Sequence, residues 1–276
     1  MENFKIDVDS DGIALITFDV PGRSMNTITG SVMRDLISLV ETLKSDAKIN
    51  GAVITSGKTT GFCAGADLGE LNQRGAAKQE EPKSEEEKLK KQFDQSFTLN
   101  RSLRALETCG KPVAVALEGL ALGGGLEIAL ACHYRVAADN PKIKFGLPES
   151  KVGLLPGAGG TQRLPRIVGE ARAKQMILLG RKFGAAEALQ WGLINRIAPL
   201  DTPVLEDTIE WIAPIAHGAP IAQRAALEAI DASFDVSLDR GLELERVYYD
   251  ETLRSEDRLE ALRAFAEKRR PVFRGV

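Results

Sequence analysis

Gly123, Gly124 and Gly125 stand in an unbroken row directly before Leu126, Glu127, Ile128, Ala129 and Leu130, and few architectures tolerate that junction. Three successive residues without a Cβ weaken the interior of any helix or strand, whereas the apolar run behind them keeps helical spacing. The chain is therefore expected to turn sharply and enter a helix at once. The first amides of a helix have no partner within it and lie at its positive end. The junction thus suits developing negative charge. Two carboxylates accompany it: Glu127 one turn into the helix, and Glu149 after Pro148, on a short loop following the strand-like 143–147. Carboxylates beside amide donors can move protons next to a carbonyl group. A glycine row is also an ordinary strand-to-helix connection, and most glutamates are merely solvated, so other motifs must decide.

Before this junction strands and helices alternate. Residues 4–8 and 13–18 read as strands joined by the turn residues Asp9-Ser10-Asp11-Gly12, which makes a hairpin. Val32, Met33, Leu36, Leu39, Val40 and Leu43 keep helical spacing behind a cap at Thr29 or Ser31. Residues 51–56 and 112–117 read as buried strands. Gly57-Lys58-Thr59 lacks the earlier glycine of a phosphate loop, because position 52 is Ala. Residues 61–68 form a small-residue loop entering a further helix. Over 72–92 the composition turns charged, and Glu86/Lys90 and Glu87/Lys91 fit a solvated helical insertion. Its alternative is a cover over a binding site. A core-facing helix follows from Phe93 to near Gly110. After Arg166 the chain is expected to be helical, over 170–179, 185–191, 204–216, 221–234, 238–253 and 256–268. Pro214 is expected to kink or end the third of these.

Several chemistries are disfavoured. The two histidines do not pair with a Gly-x-Ser-x-Gly elbow, so serine hydrolysis is unexpected; His133, in an apolar stretch, reads as structural. No Gly-x-Gly-x-x-Gly follows a strand and no metal-ligand spacing is present, so neither nicotinamide nor metal is expected. Cys63, Cys109 and Cys132 read as free thiols of a reducing compartment. A net charge of −3 gives no footprint for nucleic acid or an anionic membrane. The N-terminus lacks leader character and no apolar window is long enough to span a bilayer, so a cytoplasmic protein is expected. Glutamates and backbone donors remain.

At this point segments 61–68, 121–130 and 146–166, in that order, resemble the signature of the enoyl-CoA hydratase/isomerase (crotonase) family. The likeness runs from the first hairpin to the closing Phe265-Ala266-Glu267-Lys268-Arg269-Arg270-Pro271-Val272-Phe273. It implies an α/β fold: a spiral of ββα turns with the acyl-CoA site over 1–200. It also implies a helical C-terminal region over 201–276 that packs on neighbouring subunits, usually as a homotrimer or a dimer of trimers. By resemblance, the amides of Ala66 and Gly124 grip the thioester oxygen as an oxyanion hole. Glu149 moves the proton at C2, and Glu127 holds or deprotonates the water that adds at C3. Gly157 helps position that arrangement, Arg23 and Lys268 face coenzyme A phosphates, and Ala64 lies in the loop contacting the adenine end. Asp67, Leu68 and Gly123 join the substrate-binding surface. Insertion 72–92 and residues 106–138 are similar to hydratase domains of multifunctional fatty-acid oxidation proteins.

The expected activity is that of a carbon–oxygen lyase, adding water across the 2,3 double bond of an enoyl-CoA with no cofactor beyond the coenzyme A of the substrate. Alternatives are a relative that shifts a double bond, hydrolyses or decarboxylates, and a non-catalytic RNA-binding member. The presence of both glutamates favours hydration.

Overall fold

The computed structural model describes residues 1–67, 69–70, 84 and 97–276. The expected insertion over 72–92, the helix start at Phe93 and the candidate Leu68 lie outside the described residues.

Strands β1 (Phe4–Val8) and β2 (Ile13–Phe18) form the antiparallel hairpin, and β2 then pairs in parallel with β3 (Gly51–Ser56). The main sheet continues in parallel through β5 (Val113–Leu117), β7 (Tyr134–Ala137) and β9 (Arg196–Ile197), in the order β1-β2-β3-β5-β7-β9. A second, parallel sheet consists of three very short strands, β4 (Gly61–Cys63), β6 (Leu120–Leu122) and β8 (Phe145–Gly146). Each long strand β3, β5 and β7 thus hands the chain to a short one before the next helical segment. This is the ββα spiral implied by the resemblance.

The main sheet is covered on both faces, as its near-continuous apolar strands require. Along β5, Val113, Val115 and Leu117 join one core while Ala114 and Ala116 join the other. That alternation is the period of two of a pleated strand. Helix α1 (Gly30–Ser45) supplies Val32, Leu36, Leu39, Val40 and Leu43 to the larger core, and Thr29 caps it by accepting a hydrogen bond from the Val32 amide (3.2 Å). Helix α2 (Thr98–Glu107) adds Leu103 and Leu106 to the same core. The helices after the site are α3 (Gly124–Leu130), α4 (Gly160–Val168), α5 (Glu170–Leu179) and α6 (Ala185–Gln190). Of the later helices α7 (Val204–Ala216), α8 (Pro220–Ala232), α9 (Leu238–Leu253) and α10 (Glu256–Glu267), the first lies across the opposite face of the sheet. There Val204, Ile212 and Ala216 meet Ile13, Val53 and Val136.

Several expectations are corrected. The loop read over 61–68 begins as strand β4, and the strand read over 143–147 shrinks to Phe145–Gly146. Glu149 opens a 3-10 turn (Glu149–Val152) rather than lying in a loop. Helix α4 starts at Gly160, before Arg166, with Pro165 inside it, because burial of Leu164 and Val168 outweighs the lost backbone bond. The helix expected over 204–216 has those bounds, with Pro214 inside it two residues before its end. The helical last third also contains β9, which completes the main sheet.

His133 proves structural. Its Nδ1 accepts from the Val113 amide (2.9 Å), its Nε2 lies 3.0 Å from the Glu107 carbonyl, and burial pushes its pKa down. The three cysteines are free and buried. No helix among the described residues is long and apolar enough to cross a membrane.

Candidate active site

The site grows out of the small sheet. Its three strands run parallel, so their C-terminal ends emerge at one edge. From that edge β4 leads into Ala64-Gly65-Ala66, β6 into Gly123 and α3, and β8 through Pro148 into Glu149. Residues far apart in sequence meet because the spiral stacks these three exits. Crevices at the carboxyl ends of parallel strands are favoured ligand positions.

The positive φ of the glycine row falls on Gly123 (53°), which caps α3. Gly124 is the first helical residue, so its amide lacks an intrahelical acceptor. The loop after β4 lies against this point: a Cβ on Gly65 would sit 3.4 Å from the Gly124 nitrogen. Ala66 is exposed on that loop and forms a parallel bridge with Ile28. The bridge consists of Ile28 N–H donating to the Gly65 carbonyl (2.8 Å) and Asp67 N–H donating to the Ile28 carbonyl (3.1 Å). Neither the Ala66 nor the Gly124 amide meets an acceptor among the described residues. The loop that carries one expected donor thus lies against the other, and neither amide has an acceptor among the described residues.

The two glutamates approach adjacent glycines of the row. A methyl group on Gly123 would lie 3.0 Å from Glu149 Oε1, and one on Gly124 would lie 3.9 Å from Glu127 Oε2. Glu127 is buried, and its Oε1 accepts from the amides of Ala158 (2.8 Å) and Gly160 (2.7 Å). Burial pushes its pKa up to about 7, helped by the charge of Glu149 and opposed by the two amides and by Arg163. Burial also raises Glu149, whose Oε2 is enclosed and has no hydrogen-bond partner among the described residues. A carboxyl group in that state favours its neutral, proton-carrying form. Two carboxyls that both ionise reluctantly beside free amide donors can pass a proton to and from a carbonyl compound at neutral pH.

The remaining candidates fall unevenly around this centre. Gly157 is exposed and is not a partner of Glu127; the anchoring amides belong to Ala158 and Gly160, which sequence reasoning missed. Gly160 admits no side chain, since a Cβ there would lie 2.8 Å from Pro156 Cβ and 3.0 Å from Glu127 Oε1. The Gly159-Gly160 pair at the start of α4 was the available signal. Arg23 reaches the loop after β4, where it pairs with Asp67 and donates to Thr27 Oγ1 (2.9 Å). The Glu70 amide and the Arg23 guanidinium hold Asp67 below the usual carboxylate range. Ala64 is exposed, and its amide is tied to the Asn26 carbonyl (2.9 Å). Asn26, also missed, is fully buried and bonds Val20, Phe18, Ser56 and Phe62, pinning the Arg23 loop to β4. Lys268 is exposed at the end of α10 with φ of 55°, and among the described residues it has no bond to any of these groups. No cluster of three or more His, Cys, Asp or Glu side chains suited to a metal ion occurs among the described residues.

The ionisation of Glu127 has a measurable cost. Folding raises its pKa from 4.5 to about 7, so the folded state holds that proton more tightly than the unfolded chain. Below the unfolded value both states are protonated and the effect vanishes. It grows as pH rises and is complete above the folded value, with about 3 to 4 kcal/mol as an upper bound at ~1.4 kcal/mol per pH unit. Glu127→Gln keeps an oxygen for the Ala158 and Gly160 amides and cannot ionise. The variant is expected to resist urea better than the parent at about pH 8 and equally at about pH 3.5, below the unfolded value. Equal midpoints at both pH values would show that Glu127 titrates normally.

A model of the enoyl-CoA hydratase/isomerase family matches residues 9–276. Among curated proteins, the enoyl-CoA isomerase/hydratase fer4 of Mycosarcoma maydis is 40% identical over 271 residues, covering 96% of this chain and 93% of that protein. A fatty acid oxidation complex subunit alpha of Shewanella loihica is 40% identical over 230 residues, which are 83% of this chain but 30% of that longer protein. The crystal structure of an enoyl-CoA hydratase from Bacillus anthracis superposes with a TM-score of 0.87 at 34% identity, covering 99% of this chain and 100% of that one.

Proposed function

The chain belongs to the enoyl-CoA hydratase/isomerase family, and within it we propose that it hydrates the 2,3 double bond of an enoyl-CoA to give the 3-hydroxyacyl-CoA. The observation that carries this reading is the meeting of two hard-to-ionise carboxyls, buried Glu127 and half-buried Glu149, at Gly124 and Gly123, next to the amides of Gly124 and Ala66, which have no acceptor among the described residues. The amides hold the thioester oxygen, on which negative charge collects as C3 is attacked, so they bind the transition state more tightly than the ground state. Ionised Glu127, fixed by Ala158 and Gly160, takes a proton from water as its oxygen bonds to C3. Neutral Glu149 gives a proton to C2. The net change is one water added, and the proton now on Glu127 returns to Glu149 before the next turnover. Burial resists the ionisation of both carboxyls, which supports a proton carried within the pair.

The test is the loss of enoyl-thioester absorbance over a panel of acyl lengths, with the product mass measured. A gain of one water supports hydration. An isomeric product of unchanged mass would replace this reading by double-bond migration, and free coenzyme A would replace it by hydrolysis.

We infer further that the reaction needs no metal or nicotinamide, since glutamates and amides supply every step. Activity is expected to survive exhaustive chelation and dialysis; loss restored by an added metal would refute this. The protein is also read as cytoplasmic and as a trimer or pair of trimers. Support for assembly comes from apolar side chains left in solvent on the last helices, such as Leu238 (78% exposed) and Phe265 (87%). Sedimentation gives the oligomeric mass directly.

A further inference from the structure

We propose that Arg163 is a positioning residue for Glu127, acting through the turn of Ala158 to Gly160, with Glu107 as its anchor. This rests on the hydratase reading of the site and extends it to residues outside the two glutamates and the oxyanion donors.

Arg163 lies on the first turns of α4, and its side chain is only 10% exposed. Its guanidinium grips Glu107, the last residue of α2, by two bonds of 3.1 Å from Nε and Nη2. The third arm, Nη1, donates to the Ala158 carbonyl (3.0 Å). The amide of that same residue donates to Glu127 Oε1, as does the Gly160 amide. One arginine therefore fixes, from outside the site, the peptide units that aim the Glu127 carboxylate. The turn is shaped for this arm. Gly159 has φ of 103°, and a Cβ there would lie 2.1 Å from Arg163 Nη1.

The anchor is itself held. Burial pushes Glu107 up, but the guanidinium groups of Arg163 and Arg104 prevail and keep it below the usual carboxylate range. Arg104 bonds Glu107 Oε2 (2.7 Å) and reaches Asp231 on α8 (3.2 Å). A planar, bidentate arginine suits this role where a lysine does not, because a point charge cannot engage two carboxylate oxygens and a carbonyl in one plane. The charged groups acting on Glu127 are Glu149, from the 3-10 turn, and Arg163, from α4; the first resists its ionisation and the second favours it. Removing Arg163 thus has two consequences: it frees the turn, and it takes away the cation that helps Glu127 ionise.

The experiment compares the parent with Arg163→Gln and Arg163→Lys. Two quantities are read: the pH dependence of kcat for enoyl thioester hydration, and the titration of the Glu127 carboxyl by ¹³C NMR, assigned with Glu127→Gln. Arg163→Gln is expected to lower kcat by about 10- to 100-fold, the scale of a small misplacement of a reacting group. It is also expected to move the Glu127 midpoint to higher pH. Arg163→Lys keeps the charge and loses the fork, so kcat falls while the midpoint moves less. If Arg163→Gln fails to fold, Arg163→Lys still decides, through a lower kcat with the midpoint near the parent's. An unmoved midpoint in Arg163→Gln, or a parental kcat in Arg163→Lys, overturns the proposal. Should the parent not hydrate enoyl thioesters, the hydratase reading fails alone, and the NMR titration still reports on Arg163.

Discussion

Glu149→Gln is expected to lower the rate of enoyl thioester hydration by about 10²–10⁴-fold, the usual worth of a positioned proton-transfer group, with little change in thermal stability. The side chain is half-buried with one enclosed oxygen that has no partner among the described residues, so an amide of the same shape fits in its place. Glu127→Gln is expected to fall by a similar factor for a different reason. Its amide oxygen still accepts from Ala158 and Gly160, so the architecture persists while the base for water is gone. The two variants separate the roles. With Glu149 intact, the Glu127 variant should still exchange the C2 proton of a saturated acyl-CoA with solvent, and the Glu149 variant should not. Near-parental hydration by either variant would refute the two-carboxyl mechanism. Exchange lost equally in both would leave a shared proton but no division of labour.

What the sequence made legible was whatever lies within one helical turn or one strand. The hairpin, α1 with its cap at Thr29, β3, β5 and the long C-terminal helices each carry a local apolar period, and they are where it placed them. So is the Gly123-Gly124 junction, since nothing but a sharp entry into a helix suits three glycines before Leu126. The small sheet was illegible. Its strands are two or three residues long, too short for a period, and they exist only because the spiral brings three strand exits together. The hold on Glu127 was equally hidden, because it is made by main-chain amides 31 and 33 residues away. A backbone donor leaves no side-chain signature, and the glycines that permit the close approach gave only a neighbourhood, missing Ala158 by one position. Gly123 rather than Gly124 has the positive φ for a related reason. A run of glycines shows that some residue needs the freedom, not which one.

That distinction sharpens what a side chain at Gly124 will do. As the first residue of α3 it has no left-handed backbone to strain, so valine there leaves the helix start feasible. The obstacle is Ile28, whose Cδ1 would lie 2.6 Å from the new Cβ. This is the far end of a flexible chain and can move, but Ile28 is bridged on both sides to the loop carrying Ala66. Displacing it disturbs the second donor while the valine obstructs the first. Gly124→Val is therefore expected to lose at least the worth of one oxyanion donor, about 10²–10³-fold in kcat, with a thermal midpoint close to the parent's. Gly125→Ala is the contrast: its Cβ would lie 2.5 Å from the Cys63 carbonyl, which is backbone and cannot yield, so stability falls first. Measured together, the pair separates a damaged site from a damaged fold. If Gly124→Val hydrates a short enoyl-CoA at the parental rate, the oxyanion assignment of Gly124, and that of Ala66 with it, must be abandoned.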